Sequence, residues 1–258
     1  MKISTHLISG AGNTFHIMNS NQNRQIENLS VEQKKKMTRE ICREKKADGF
    51  IFLSKKTEYH WSFYNNDGSD AEMCGNATRC VGYYIKNVMQ DPGSQWPLKT
   101  TAGPITISCL SKETYQISMT PIITLISKHG FFFDTGVPHL IQEIDIFENF
   151  IQQKDSAAQL RFHADFQPRG TNVTYVHFLK DLDQLQAVSY ERGVENFTNA
   201  CGTGAMAAAM FNLIKRGSVK TTVEMPGGTL MMDLTDIQKP QMTGPAVSLG
   251  KFDYEVSI

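Results

Sequence analysis

The stretch ACGTGAMAAAMFNLIKRG, residues 200–217, decides how this chain is read. A cysteine and a glycine stand directly before a run of small and apolar residues at helical spacing. Gly217 then supplies the left-handed stop such a helix needs. The arrangement occurs a second time in MCGNATRCVGYYIKNV, residues 73–88, where Val81, Ile85 and Val88 fall on one helical face. Cys74 and Cys201 lie 127 residues apart in a chain of 258, close to half its length. Each helix is followed by a strand, a glycine turn and another strand, through TTAGPI (100–105) and EMPGGTL (224–230). This repeated order predicts an α+β protein of two pseudo-symmetric domains.

Working outward, residues 3–19 read as strand, turn, strand, with Gly10 and Gly12 in the turn. Ser30 with Gln33 makes a capping box for a charged helix running to about Lys46, which Asp48-Gly49 stops. Strands are expected at 49–54 and 59–64, a turn at 65–68, and several short strands between 97 and 119. The second half gives short strands and loops over 120–145, then a helix over about 147–160. Strands follow at 171–178, 185–191, 219–225 and 228–234.

Composition excludes several classes. Twenty-six Lys and Arg balance 26 Asp and Glu, so the chain lacks the basic excess that a nucleic-acid partner calls for. Its longest apolar runs, Pro121–Ile126 and Phe131–Phe133, fall far short of the ~20 residues of a membrane-spanning helix. MKISTHLISGAGN is too polar for a secretory leader, and the odd count of five cysteines fits reduced thiols in a cytoplasm. The seven histidines show no His-x-x-x-His spacing and the cysteines no Cys-x-x-Cys, so no metal site is expected. Gly202–Ala207 imitates a dinucleotide loop, but the polar ENFTN (195–199) precedes it where an apolar strand is required. Lys34–Lys36 reads as a solvated helix face.

The chemistry is expected at the paired cysteines. A thiol at a helix start meets unpaired N–H groups and the positive end of the dipole, which predicts a pKa below the free value of about 8.5. The N–H groups of Gly75, Asn76, Gly202 and Thr203 suit a carboxylate. Two such thiols bracketing one cavity can take a proton from one face of a carbon and return it from the other, inverting a stereocentre without a cofactor. Cys42, Cys80 and Cys109 read as packing residues.

Six segments now carry a resemblance: GAGNTFHIMN (10–19), YNNDGSDAEMCGNATRC (64–80), GVPH (136–139), RGTNV (169–173), YERGVENFTNACGTGA (190–205) and MPGG (225–228). In order and content they resemble the diaminopimelate epimerase family. The resemblance implies two α/β domains, 1–119 with 245–258 and 120–244, each a barrel-like sheet around a central helix. It implies cofactor-independent interconversion of LL- and meso-diaminopimelate by thiolate and thiol, on the route to lysine and peptidoglycan, in a cytoplasmic homodimer. Cys74 and Cys201 match the acid/base pair. His139 and Glu191 match residues that tune the thiols. Asn13, Asn65, Gly75, Asn76, Asn172, Glu191, Arg192, Gly202 and Thr203 match substrate-binding positions, with Arg192 suited to the far carboxylate of a diamino diacid.

The chain also departs from the family pattern. Val137 stands where Gly-Asn-Pro-His is frequent, Gly49 where a glutamine is common, Ala77 where CGNG has glycine, and ENFTN is one residue long. Two other readings therefore stand beside the epimerase. One is a racemase of another amino acid, of the proline-racemase or metallophore histidine-racemase kind. The other is a thiol-redox or ligand-binding protein, against which the missing Cys-x-x-Cys counts. The sequence leaves open which cysteine serves which stereoisomer.

Overall fold

The computed structural model describes residues 1–22, 24–71, 73–101 and 103–256. Glu72 of the first cysteine motif and Ala102 of TTAGPI lie outside the described residues. The chain runs through β1 (Lys2–Gly10), β2 (Asn13–Asn19), α1 (Arg24–Glu27), α2 (Val31–Lys45), β3 (Gly49–Lys55), β4 (Tyr59–Asn65) and α3 (Gly75–Tyr83). There follow β5 (Gln95–Thr100), β6 (Gly103–Cys109), β7 (Thr114–Ser118), β8 (Ile123–Leu125), β9 (Phe132–Asp134), β10 (Pro138–Glu143) and α4 (Lys154–Arg161). Last come β11 (Asn172–Phe178), β12 (Gln184–Glu191), β13 (Asn196–Thr198), α5 (Gly202–Arg216), β14 (Lys220–Met225), β15 (Gly228–Asp233), β16 (Gln241–Pro245) and β17 (Val247–Glu255).

Local chemistry sets the boundaries. Ala11 and Gly12 both take positive φ (54° and 91°), the mirror-image turn whose twist matches the strands it joins. The Ser30–Gln33 capping box opens α2, and Lys46 in the left-handed region (φ 54°) closes it one turn before Gly49. Gly217 closes α5 the same way at φ 77°.

Two compact units result, Met1–Ile117 with the chain from Gly244 onward, and Ser118–Thr243. The first unit's strands lie in the order β17-β1-β2-β3-β4-β5-β6-β7. The second unit's lie in the order β8-β9-β10-β11-β12-β14-β15-β16, with β13 on the end of β12. From β1 and from β9 the pairings run antiparallel, parallel, antiparallel, parallel, antiparallel, antiparallel. The pseudo-symmetry is thus a repeat of pairing pattern, with a helix before the fifth strand of each series.

That helix is the centre of its unit. Helix α3 packs on β1, β2 and β6, and α5 on β10, β11, β12, β14 and β15. Ala205–Ala209 of α5 are all fully buried, as are Ala77, Thr78, Arg79, Cys80 and Val81 of α3. A helix enclosed on every side needs small residues where backbones approach. Gly10 shows the limit: a Cβ there would lie 2.7 Å from the Asn76 carbonyl oxygen and 2.9 Å from Cys80 Sγ. Gly10→Ala is therefore expected to lower stability by about 2 kcal/mol, a Tm drop of roughly 4–8 °C. Calorimetry checks this, and an unchanged Tm refutes the close packing.

Some elements differ from expectation. The helix expected over 147–160 is a 3-10 segment, Phe147–Gln153, leading into α4. Helix α3 loosens into a π turn over Tyr84–Val88. Strands β13, β16 and β17 were not foreseen. Among the described residues, no helix is long and apolar enough to cross a membrane.

Candidate active site

In the first unit, Cys74 is the N-cap of α3, in extended conformation (φ −144°, ψ 122°). Its carbonyl accepts from the Thr78 N–H and the Thr78 hydroxyl, both at 2.9 Å, which fixes the first turn. The side chain is half-buried. Gly75 and Asn76 follow inside that turn, where a helix leaves its N–H groups without internal partners. Asn76 Nδ2 donates to Asn13 Oδ1 at 2.6 Å, so two expected substrate ligands are joined. Behind them lies Arg79, which is fully buried. Its Nη2 donates to Asn76 Oδ1 at 2.8 Å, its Nη1 to the Gly75 carbonyl at 3.5 Å and its Nε to the Pro245 carbonyl at 3.4 Å. Sequence reasoning passed over Arg79; an arginine three residues after Asn76 on an otherwise buried helix was the available signal. Asn65, at the end of β4, is exposed and donates to Ser69 Oγ at 2.9 Å, closing its own turn.

In the second unit, Cys201 caps α5 with the same extended backbone (φ −131°, ψ 105°). Its Sγ accepts the Gly204 N–H at 3.4 Å and lies 3.4 Å from Thr203 Oγ1. Thr203 Oγ1 is 3.0 Å from His139 Nε2. The parallel register of β10 and β11 sets His139 opposite Asn172, whose Nδ2 is 3.3 Å from the same Nε2. On the other ring nitrogen, Thr174 Oγ1 sits 2.8 Å from Nδ1 and 2.9 Å from Ser189 Oγ. Arg192 donates its backbone N–H to Asn172 Oδ1 at 2.8 Å and its Nη1 to the Arg169 carbonyl at 2.7 Å. Thr198 donates its hydroxyl to Glu191 Oε1. Thr135 ties the GVPH turn to the first turn of α5 by donating to the Thr203 carbonyl at 2.9 Å. His139, Asn172, Glu191, Cys201 and Thr203 thus form one hydrogen-bonded group, with Thr174, Ser189 and Thr198 as members that the sequence did not mark.

The electrostatics overturn one expectation. The helix start was expected to lower both thiols, but Cys201 is only 5% exposed and its pKa is raised. Burial is the larger cause and the charge of Glu191 the second; the Thr203, Gly204 and Ser189 hydrogen bonds oppose both and lose. Burial likewise raises the Glu191 carboxyl, against hydrogen bonds from Thr198 and Cys201. His139 is pushed down to about 3, first by burial and then by the charge of Arg192, so its imidazole is neutral. Cys80 and Cys42 are raised by burial as well, and both lie in packed surroundings.

One cluster has the residue types of a metal site. His129, His163 and Asp165 bring three donor atoms within 4.8 Å of one another. Atoms of the three are already paired: Asp165 Oδ2 takes His129 Nε2 at 2.7 Å and Lys128 Nζ at 3.0 Å, and His163 Nδ1 accepts the Asp165 N–H at 3.2 Å.

The model of the diaminopimelate epimerase family matches residues 6–124 and 131–249, one match to each half. The chain belongs to the diaminopimelate epimerase family. A relative from Aquifex aeolicus named diaminopimelate epimerase is 31% identical, covering 96% of this chain and 97% of its own. One of the same name from Methanocella arvoryzae is 32% identical, covering 99% of both chains. Among solved structures, a PhzF-family phenazine biosynthesis protein from Bacillus anthracis superposes with a TM-score of 0.79 at 10% identity, over 99% of this chain and 100% of that one. A probable proline racemase from Agrobacterium radiobacter K84 gives 0.67 at 14% identity, over 99% and 93%. At such identities these two establish the fold alone. Membership of the epimerase family makes the protein an isomerase acting on a small molecule.

Proposed function

We propose that the protein interconverts LL- and meso-diaminopimelate, with Cys74 and Cys201 as the acid/base pair. The observation that carries this is the matched pair of cysteine N-caps, each opening the central helix of its unit, in a chain whose two halves each match the family model. One thiolate removes the α-proton and the other thiol delivers a proton to the opposite face. The helix starts at Gly75-Asn76 and Gly202-Thr203 hold the α-carboxylate and stabilise the charge that develops beside it, so no electron-sink cofactor is required. Asn13, Asn65, Asn172 and Arg192 hold the far end of the substrate. The reading requires both sulfurs to reach one α-carbon. It also carries the family's expected setting, a cytoplasmic homodimer.

A second reading, racemisation of a smaller amino acid, is favoured by Val137 and by Gly49. A Cβ at Gly49 would lie 2.7 Å from the Tyr64 carbonyl oxygen, so the glutamine common in the family has no room there. A panel of LL-diaminopimelate, proline and histidine in deuterated buffer, with reduced protein, separates the readings. Inversion with α-deuterium uptake in LL-diaminopimelate alone supports the proposal. Turnover of proline or histidine instead replaces it, and no exchange in any of them refutes it.

Arg192→Lys bears on the far carboxylate. A guanidinium can bind both oxygens and an ammonium cannot, so KM for the diacid is expected to rise roughly tenfold with kcat nearly unchanged. Steady-state kinetics checks this; an unchanged KM removes Arg192 from the substrate site.

A further inference from the structure

We propose that the Thr203 hydroxyl is a rotor, passing one hydrogen bond between His139 Nε2 and Cys201 Sγ as the thiol loses and regains its proton. The inference rests on Cys201 being one of the acid/base pair. It follows from counting donors around His139, because two groups there have no choice of role.

The Arg192 backbone N–H can only donate, so the Asn172 atom that faces it at 2.8 Å is Oδ1. That turns Nδ2, which also can only donate, toward His139 Nε2 at 3.3 Å. Nε2 therefore carries no hydrogen, and the neutral ring holds its proton on Nδ1, donating it to Thr174 Oγ1 at 2.8 Å. Thr174 passes its own hydroxyl hydrogen to Ser189 Oγ at 2.9 Å. Thr203 Oγ1, 3.0 Å from the bare Nε2, hydrogen-bonds it only by donating, and shares the single Nε2 lone pair with Asn172 Nδ2. With its one hydrogen committed, Thr203 presents lone pairs to Cys201 Sγ at 3.4 Å. A thiol can donate its S–H to Thr203 or to the neighbouring Glu191 carboxyl, whereas a thiolate would set lone pairs against both. With burial, this wiring outweighs the Gly204 and Ser189 donors and favours the thiol in the free protein.

When Cys201 gives its proton to the substrate carbon, the S–H electron pair stays on sulfur. Rotation of Thr203 about its Cβ–Oγ1 bond then swings the hydroxyl hydrogen to Sγ, where the Gly204 N–H already points from 3.4 Å. Nε2 keeps the Asn172 donor meanwhile. Either protonation state thus has its hydrogen bonds, at the cost of one torsion. His139 acts as the parking place for that hydrogen and need not titrate. The charged groups facing this chain are Glu191, beside Cys201, and Arg192, beside His139. Thr203 is in this sense a positioning residue.

The test reads Cys201 itself. Iodoacetamide labelling of the free protein, followed at the Cys201 peptide by mass spectrometry from pH 6 to 10, reports the thiolate fraction without any substrate. In Thr203→Val the thiolate loses its hydroxyl donor, so the labelling profile is expected to move up by about one pH unit, a roughly tenfold slower rate at fixed pH. Thr203→Ala gives the same shift without a buried branch. Thr203→Ser keeps the hydroxyl and restores the parent profile. With turnover established, kcat is expected to fall about tenfold in Thr203→Val while KM stays within about twofold, and Ser recovers it. A parent-like labelling profile in both Val and Ala, or failure of Ser to restore it, overturns the rotor. An enzyme inactive on every substrate would defeat the epimerase reading and leave the labelling result to decide this one.

Discussion

Cys74→Ser and Cys201→Ser are each expected to lower the rate of epimerisation about 10³-fold or more, with the fold retained. A serine hydroxyl is nearly isosteric with a thiol but holds its proton far too tightly to act as base near neutrality. On the proposed mechanism each substitution removes a proton carrier used in both directions, so neither stereoisomer should be spared. Circular dichroism and Tm are expected to stay near the parent values, because both sites are N-caps, where serine is a favoured residue. Polarimetry and α-deuterium exchange together give the readout. Near-normal rates in either variant would refute the assignment of that cysteine. Loss of inversion with exchange retained from one face would instead assign the surviving thiol to that face.

Acidification is expected to destabilise the protein through two histidines that fold as neutral groups. His16 is fully buried, its Nδ1 2.9 Å from Thr5 Oγ1 and its ring stacked on Phe50, and its pKa is pushed down to about 4 by burial and then by Lys45. His139 lies at about 3. Between the ordinary value near 6.5 and these folded values only the unfolded chain binds the protons. Stability is therefore constant on this account above about pH 6.5 and falls as pH drops toward 4 for His16 and toward 3 for His139. At pH 4.5 each histidine is expected to cost about 2–3 kcal/mol relative to pH 8. Urea midpoints across that range measure it, and His16→Phe should flatten the curve by one histidine's share. A parent-like slope in that variant would show that His16 is protonated in the fold.

The parts of the fold legible in the sequence are those with local causes. The Ser30–Gln33 box, the stop at Gly217 and the alternating strands of the two hairpins are each written within a few neighbouring residues. Strand β17 was missed because Val247–Glu255 is mostly exposed, carries Gly250 in its middle and is held by distant β1. Strand β13 is three polar-flanked residues that exist only as a partner of β12. Of the candidate site, the cysteines were visible as helix openers. The contact of His139 with Asn172 was not, because residues 33 apart meet only through the register of β10 on β11. The direction of the Cys201 shift was misjudged because a helix start acts over one turn, whereas burial depends on the whole unit closing around it.

Chain order adds a consequence for biosynthesis. Strand β1 pairs along its length with β17, and the Met1 amino group reaches the Val256 carbonyl at 2.7 Å, so the first unit takes both an early and a late segment. The second unit is continuous between them. Until β17 is made and paired, the first unit waits with the β1 edge of its sheet uncovered. Released chains truncated before residue 247 should therefore be protease-resistant over 118–243 and labile over 1–117.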